Sequence, residues 1–236
     1  MRLLVLRPEP GASATAMRGR AMGAEAIVAP LFSVEPVPWE MPDPRAHDAL
    51  LLTSAHAVRH AGAGLARLAA LPVYAVGAAT ASAAREAGLT VAITGGSDAR
   101  ALLAEVAAAG HVRLLHLTGA DHVAAEQAGL AITRITVYRA DPVAELPPAA
   151  CLALEQGAIT LLHSPRAAAL FASLIDQAGI ARASVRIAAI SAAALRAAGQ
   201  GWGGAASAAL PTDDALLAAA ARLCETGAER EGRAGA

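Results

Sequence analysis

Twice in this chain a short, wholly apolar run ends in a hydroxyl-bearing pair and passes into an alanine-rich stretch. The first is Ala49-Leu50-Leu51-Leu52-Thr53-Ser54-Ala55-His56-Ala57-Val58, the second Thr160-Leu161-Leu162-His163-Ser164-Pro165-Arg166-Ala167-Ala168. An apolar run this short reads as a buried strand, and a serine just before a helical stretch reads as its N-cap. Strands buried on both faces belong to parallel sheets, whose crossovers are helices. The chain is therefore restricted to an α/β architecture of parallel sheets covered by helices. Unpaired N–H groups at the start of such a helix suit an anionic ligand. Two turns of this kind suggest two related lobes facing one ligand.

The rest of the chain continues the alternation. Strands are predicted over 2–6, 26–29, 48–53, 72–76, 91–94, 113–117, 132–137, 159–163 and 186–190, with a short one over 205–209. Helices are predicted over 13–22 (capped by Ser13 or Thr15), 55–70, 81–87, 122–128, 149–156, 166–178 and 191–198. Two more are capped by Gly95-Gly96-Ser97-Asp98 and by Pro211-Thr212-Asp213-Asp214, the latter ending near Cys224. The tail, 226–236, is rich in Gly, Glu and Arg and reads as disordered. Two proline-bearing stretches, 36–44 and 140–148, read as connectors.

The sequence also repeats within itself. Ser54 matches Ser164, Val76-Gly77 matches Ile190-Ser191, and Ala101-Leu102-Leu103 matches Ala215-Leu216-Leu217. Arg2-Leu3-Leu4 matches Arg113-Leu114-Leu115, and Gly23 to Val28 resembles Gly129 to Arg134. Each pair lies about 110 residues apart, which points to duplication. The units run short, long, short, long: 1–34, 46–109, 111–138 and 150–224. Two lobes could be built in sequence, or the middle pair could form one and the outer pair the other, with the connectors as a hinge.

Several function classes are excluded. The net charge of −1 provides no basic field for nucleic acid. All 19 cationic side chains are arginine, which removes lysine Schiff bases, pyridoxal phosphate attachment and a Walker lysine. Gly95-Gly96-Ser97 also lacks the dinucleotide fingerprint, so no nucleotide is expected. Cys151 and Cys224 sit in no metal-spaced motif and read as small buried hydrophobes. His47, His60, His111, His116 and His163 show no ligand spacing, so no metal is expected; His116 and His163 read as strand residues. Leu3 to Leu6 is too short for a signal-peptide core, and no stretch approaches the roughly 20 apolar residues of a membrane span. A soluble cytoplasmic protein is expected.

The chain resembles the uroporphyrinogen-III synthase family up to about Cys224. The resemblance is carried by Leu52-Thr53-Ser54, Val73-Tyr74-Ala75-Val76-Gly77-Ala78-Ala79-Thr80-Ala81, Ile135-Thr136-Val137-Tyr138-Arg139, His163-Ser164-Pro165 and Pro211-Thr212-Asp213-Asp214-Ala215-Leu216, in that order. It implies two flavodoxin-like lobes with parallel sheets, one (38–137) inserted in the other (1–34 plus 140–225) and joined by a two-stranded hinge. It further implies a monomeric lyase of heme and porphyrin biosynthesis that needs no cofactor or metal. Its substrate, hydroxymethylbilane, would be handed over by hydroxymethylbilane synthase. That linear tetrapyrrole loses water and closes with its last ring inverted, through an azafulvene and a spiro intermediate.

The resemblance also implies roles for residues. Tyr138 matches the tyrosine expected to donate to the leaving hydroxyl. Thr53, Ser54, Ala55 and His56 form one substrate-binding turn; Ser164, Pro165 and Arg166 form its counterpart. Gly77, Ala78 and Thr80 match another binding turn, with Ser191 at its twin, and Gly119 lies in a further loop. Arg7 is expected to bind a substrate carboxylate. Many relatives have Pro-Arg at Ala55-His56, where a protonated His56 offers a cation instead. Relatives often have Gly-Pro-Thr-Thr where this chain has Ser191-Ala192-Ala193-Ala194. These departures support a rival reading, a non-catalytic two-lobed binder of an anionic small molecule. A flavodoxin-like redox or nucleotide protein is a third possibility, tested by colour or bound nucleotide.

Overall fold

The computed structural model describes residues 1–96, 99–122 and 124–234, with the backbone alone over 226–234. The chain forms two compact units, Met1–Ser33 with Pro142–Ala236, and Val34–Asp141. In chain order the elements begin β1 (Arg2–Val5), α1 (Gly11–Ala21), β2 (Glu25–Val28), β3 (Phe32–Pro36), β4 (Ala49–Leu52), α2 (Ala55–His60), β5 (Val73–Val76) and α3 (Ala78–Glu86). There follow β6 (Val91–Gly95), α4 (Ala99–Ala108), β7 (Arg113–Gly119), β8 (Ala131–Pro142), α5 (Pro148–Glu155) and β9 (Ile159–Leu162). The chain closes with α6 (Pro165–Gln177), β10 (Arg186–Ala189), α7 (Ala192–Ala198), β11 (Gly204–Ser207) and α8 (Asp213–Ala234).

The first unit is a parallel sheet in the order β2-β1-β9-β10-β11. This is the doubly wound order 2-1-3-4-5, in which the winding reverses between β1 and β9. The second unit runs β8-β7-β4-β5-β6, also parallel, with β3 beyond β8 at the edge. Counted from β7 it has the same order, so the two sheets are circular permutations of one another. The internal sequence matches fall on equivalent elements: β1 with β7, β2 with β8, β9 with β4, β10 with β5, and α8 with α4. In the second unit the winding reverses between β7 and β4.

Alternation along each strand supplies both faces of a core. In β4, Leu50 and Leu52 join Ala57, Val58, Ala81 and Leu117, whereas Ala49 and Leu51 join Leu102, Leu103 and Leu114. In the first unit Leu3, Val5 and Leu161 pack with Ala12, Ala16, Leu216 and Leu217, which seats α1 and α8. Truncating a fully buried leucine of this kind to alanine removes about 2–5 kcal/mol.

Some local expectations are corrected. The helix expected over 55–70 stops at His60 because Gly62 takes φ 66°, and a 3-10 segment, Gly62–Leu68, follows. The described residues of 122–128 form no helix; so short a run is a marginal helix alone, and its Ala125 carbonyl accepts instead from Arg134 Nη2 at 2.6 Å. Ser13 does not cap α1, since its amide and hydroxyl both bond to Glu9. β3 occupies a stretch assigned to no element, and β8 runs past Tyr138 to Pro142. The last helix does not end near Cys224, and 226–234, expected to be disordered, continue it in a run rich in the good helix formers Ala, Glu and Arg. The expected cap at Ser97 and Asp98 lies outside the described residues. Among the described residues no helix is long and apolar enough to cross a membrane.

Candidate active site

Doubly wound sheets hold ligands beyond the carboxyl ends of their strands, at the crevice where the winding reverses. In the second unit that edge carries Thr53 and Ser54 after β4, Gly77 and Ala78 after β5, Gly119 closing β7, and Tyr138 on β8. The Ser54 hydroxyl accepts from the His56 amide at 3.2 Å and caps α2, with Ala55 as its first residue. Gly77 turns the chain into α3 with φ 79°, a conformation that a side chain would strain. Thr80, in the first turn of α3, is only 5 % exposed.

Across the reversal, Thr53 Oγ1 lies 3.1 Å from His116 Nε2. His116 is buried, and lies between Leu115 and Leu117 in the sequence of β7. Burial foremost, with His122 and Arg134 adding to it, lowers the pKa of its imidazole to about 4, so the ring is neutral at physiological pH. His122 meets His116 edge-on at 6.1 Å and holds the Gly119 carbonyl through Nδ1 at 3.1 Å.

Tyr138 owes its placement to an irregularity in the ladder. Thr118 pairs with Thr136 but Gly119 pairs with Tyr138, so Val137 is an extra residue, turned fully into the core. Such bulges re-aim the next side chain. The tyrosine ring lies over Gly119, where a Cβ would stand 2.6 Å from Cζ and 2.9 Å from Oη. His56 and His60, one turn apart on α2, stack at 5.9 Å and set their rings 5.7 and 6.2 Å from that of Tyr138.

In the first unit Ser164 and Ser191 end up equivalently, capping α6 from Ala167 N at 3.1 Å and α7 from Ala194 N at 3.2 Å. Pro165 takes the first turn of α6, where its missing N–H is harmless. Arg166 lays its guanidinium over the Phe32 ring at 4.6 Å. Arg7, expected to meet a ligand carboxylate, has an internal one. Packing of α8 brings Asp213 to the edge, where it receives Arg7 Nη1 at 3.1 Å, Thr15 Oγ1 at 2.8 Å and Arg18 Nη1 at 2.8 Å. Arg7 reaches it across Gly11, where a Cβ would stand 2.6 Å from Nε.

His163 Nε2 stands 3.4 Å from Asp213, long for a hydrogen bond. Burial of Asp213 pushes its carboxyl up, but the His163 ring, the Thr15 hydroxyl and the Arg7 charge outweigh that and hold it well below the usual carboxylate range. Burial lowers the pKa of His163, with Arg7 reinforcing it against the pull of Asp213.

Sequence reasoning missed His60, His116, His122 and Asp213 as parts of these edges. One signal was available: an imidazole inside an otherwise leucine-rich strand needs a partner when buried. Among the described residues no three His, Cys, Asp or Glu side chains gather as metal ligands.

These features define a protein of two doubly wound α/β units, each with serine-capped helix starts at its carboxyl edge. The family model for uroporphyrinogen-III synthase HemD matches residues 13–218. The chain belongs to the uroporphyrinogen-III synthase family. Its fold is similar to that of uroporphyrinogen-III synthetase from Helicobacter pylori, with a TM-score of 0.63 and 17% identity over 94% of this chain and 100% of that one. A mutant uroporphyrinogen III synthase from Thermus thermophilus gives 0.52 and 17% over 96% and 99%. The comparison with curated proteins gave no match.

Proposed function

We propose that the chain converts hydroxymethylbilane to uroporphyrinogen III, with Tyr138 as the acid that assists departure of the hydroxyl. The family match over 13–218 carries the reaction. The support for Tyr138 is its aim at the carboxyl edge beside Gly119, His56 and His60.

In this reading the phenol donates a hydrogen bond or proton to the terminal hydroxyl, which leaves as water. The resulting azafulvene is attacked by the already substituted carbon of the last pyrrole ring. The spiro intermediate rearranges, the ring closes inverted, and a ring carbon gives up the proton that balances the lost water. Free in water the bilane closes without inversion, so positioning is what the protein must add. The substrate is a polycarboxylate, suited to the amides and hydroxyls of Thr53, Ser54, Gly77, Ala78, Ser164 and Ser191, with Arg166 supplying charge and His56 beside the first of these turns. No step requires an electron or group carrier, so the reaction runs without a cofactor. The protein acts as a cytoplasmic monomer and receives its short-lived substrate from hydroxymethylbilane synthase.

Substituting Tyr138→Phe tests the assignment. Protein-dependent isomer III should form much more slowly, with the unfolding midpoint nearly unchanged. Turnover equal to wild type would remove the tyrosine from the mechanism.

A further inference from the structure

We propose that His116 is the positioning residue of the Thr53–Ser54 turn: its Nε2–H donates to Thr53 Oγ1, which leaves the threonine O–H to donate to a substrate carboxylate. The inference rests on the synthase reading and extends it to a residue outside the binding turns.

The contact lies between β4 and β7, where the winding of the second unit reverses, and measures 3.1 Å. Thr53 is half-buried, whereas His116 is only 4 % exposed. Its neighbours Leu114, Leu115 and Leu117 show that apolar side chains fill this strand well. An imidazole there gains nothing from burial alone, and its polar atoms cost stability unless they are bonded.

A carboxylate ligand is served by only one tautomer, which the free protein must already hold. A carboxylate only accepts hydrogen bonds, so a hydroxyl that meets it must point its proton outward. Thr53 can do so only if its oxygen takes a proton from the imidazole instead of giving one. A neutral ring protonated on Nε2 meets that requirement. Burial keeps the ring neutral, with His122 on one side and Arg134, its register partner on β8, adding to the effect.

Four variants and one spectrum test this. Thr53→Val and His116→Phe should each lower kcat/KM about five- to tenfold, the worth of one hydrogen bond, mainly through KM. The double variant should be no worse than the worse single one, and His116→Gln, which keeps an N–H donor, should recover most of the loss. Losses that multiply, or His116→Phe at wild-type kcat/KM, would overturn the proposal. The imidazole nitrogens of histidine-labelled protein, read by NMR at pH 7 without substrate, should report the Nε2–H tautomer and shift in Thr53→Val. An Nδ1–H tautomer or a protonated ring would overturn the proposal whether or not the protein is a synthase. Wild type that makes only isomer I overturns the synthase reading and this role with it, and shows itself before any substitution is made.

Discussion

Gly119→Ala is expected to disable the site by moving a side chain that it does not itself carry. A Cβ at this position would stand 2.6, 2.8 and 2.9 Å from Cζ, Cε2 and Oη of Tyr138. Ordinary carbon contacts begin near 3.5 Å, so the ring must retreat by about 1 Å. It also packs against the α2 imidazoles and the core cluster around Leu117 and Val137. Gly119 does not adopt a left-handed φ, so the substitution tests space and not backbone strain. Overpacking of this size costs about 1–3 kcal/mol, which leaves a domain of ordinary stability folded. A misplacement of about 1 Å in catalytic geometry lowers the rate about a hundredfold. The assay is initial rate and isomer ratio with fresh hydroxymethylbilane, alongside a thermal melt. Gly119→Ala should match Tyr138→Phe within a few-fold, and the double variant should be no slower. A folded Gly119→Ala protein at wild-type rate, with Tyr138→Phe impaired, would refute the argument from position.

Three further outcomes are expected. Asp213→Asn should lower the unfolding free energy by about 2–3 kcal/mol, less than the 3–5 typical of a broken buried pair because Arg7 and Arg18 are 34% and 54% exposed. Because the folded pKa of Asp213 is depressed, its contribution is present above the unfolded value near 3.9 and is lost as pH falls below it; urea titrations from pH 6 to pH 2 should show the drop in wild type and not in the variant. His116 is also depressed, from 6.5 to about 4, so wild type should lose up to about 3 kcal/mol as pH falls through that window, and His116→Gln should lose less. Ser164→Ala removes the cap of α6 and should cost about 1 kcal/mol by denaturant titration.

The strand-and-helix alternation was legible because the buried strands are short runs bounded by unmistakable turns: Ala49 to Leu52, Ile159 to Leu162, and Arg113 onward. Ser54 and Ser164 could be placed at helix starts because capping is local chemistry. Failures arose where tertiary contacts overrode local preference. The alanines around Ala125 look helical, yet a carbonyl there serves Arg134. Gly62 broke a pattern that alanine otherwise continued. The Asp213 knot joins Arg7, Thr15, Arg18 and His163 across most of the chain, and the Thr53–His116 contact joins residues whose strands become neighbours only when the sheet forms. Tyr138 was found by family resemblance, but the bulge that aims it depends on register, which periodicity does not reveal.

The measurement that most directly tests the central claim is the isomer composition of uroporphyrin formed from fresh hydroxymethylbilane with and without the purified protein. Predominantly isomer III, in proportion to protein added, is the predicted result. Isomer I alone, at the rate seen in buffer, would contradict it.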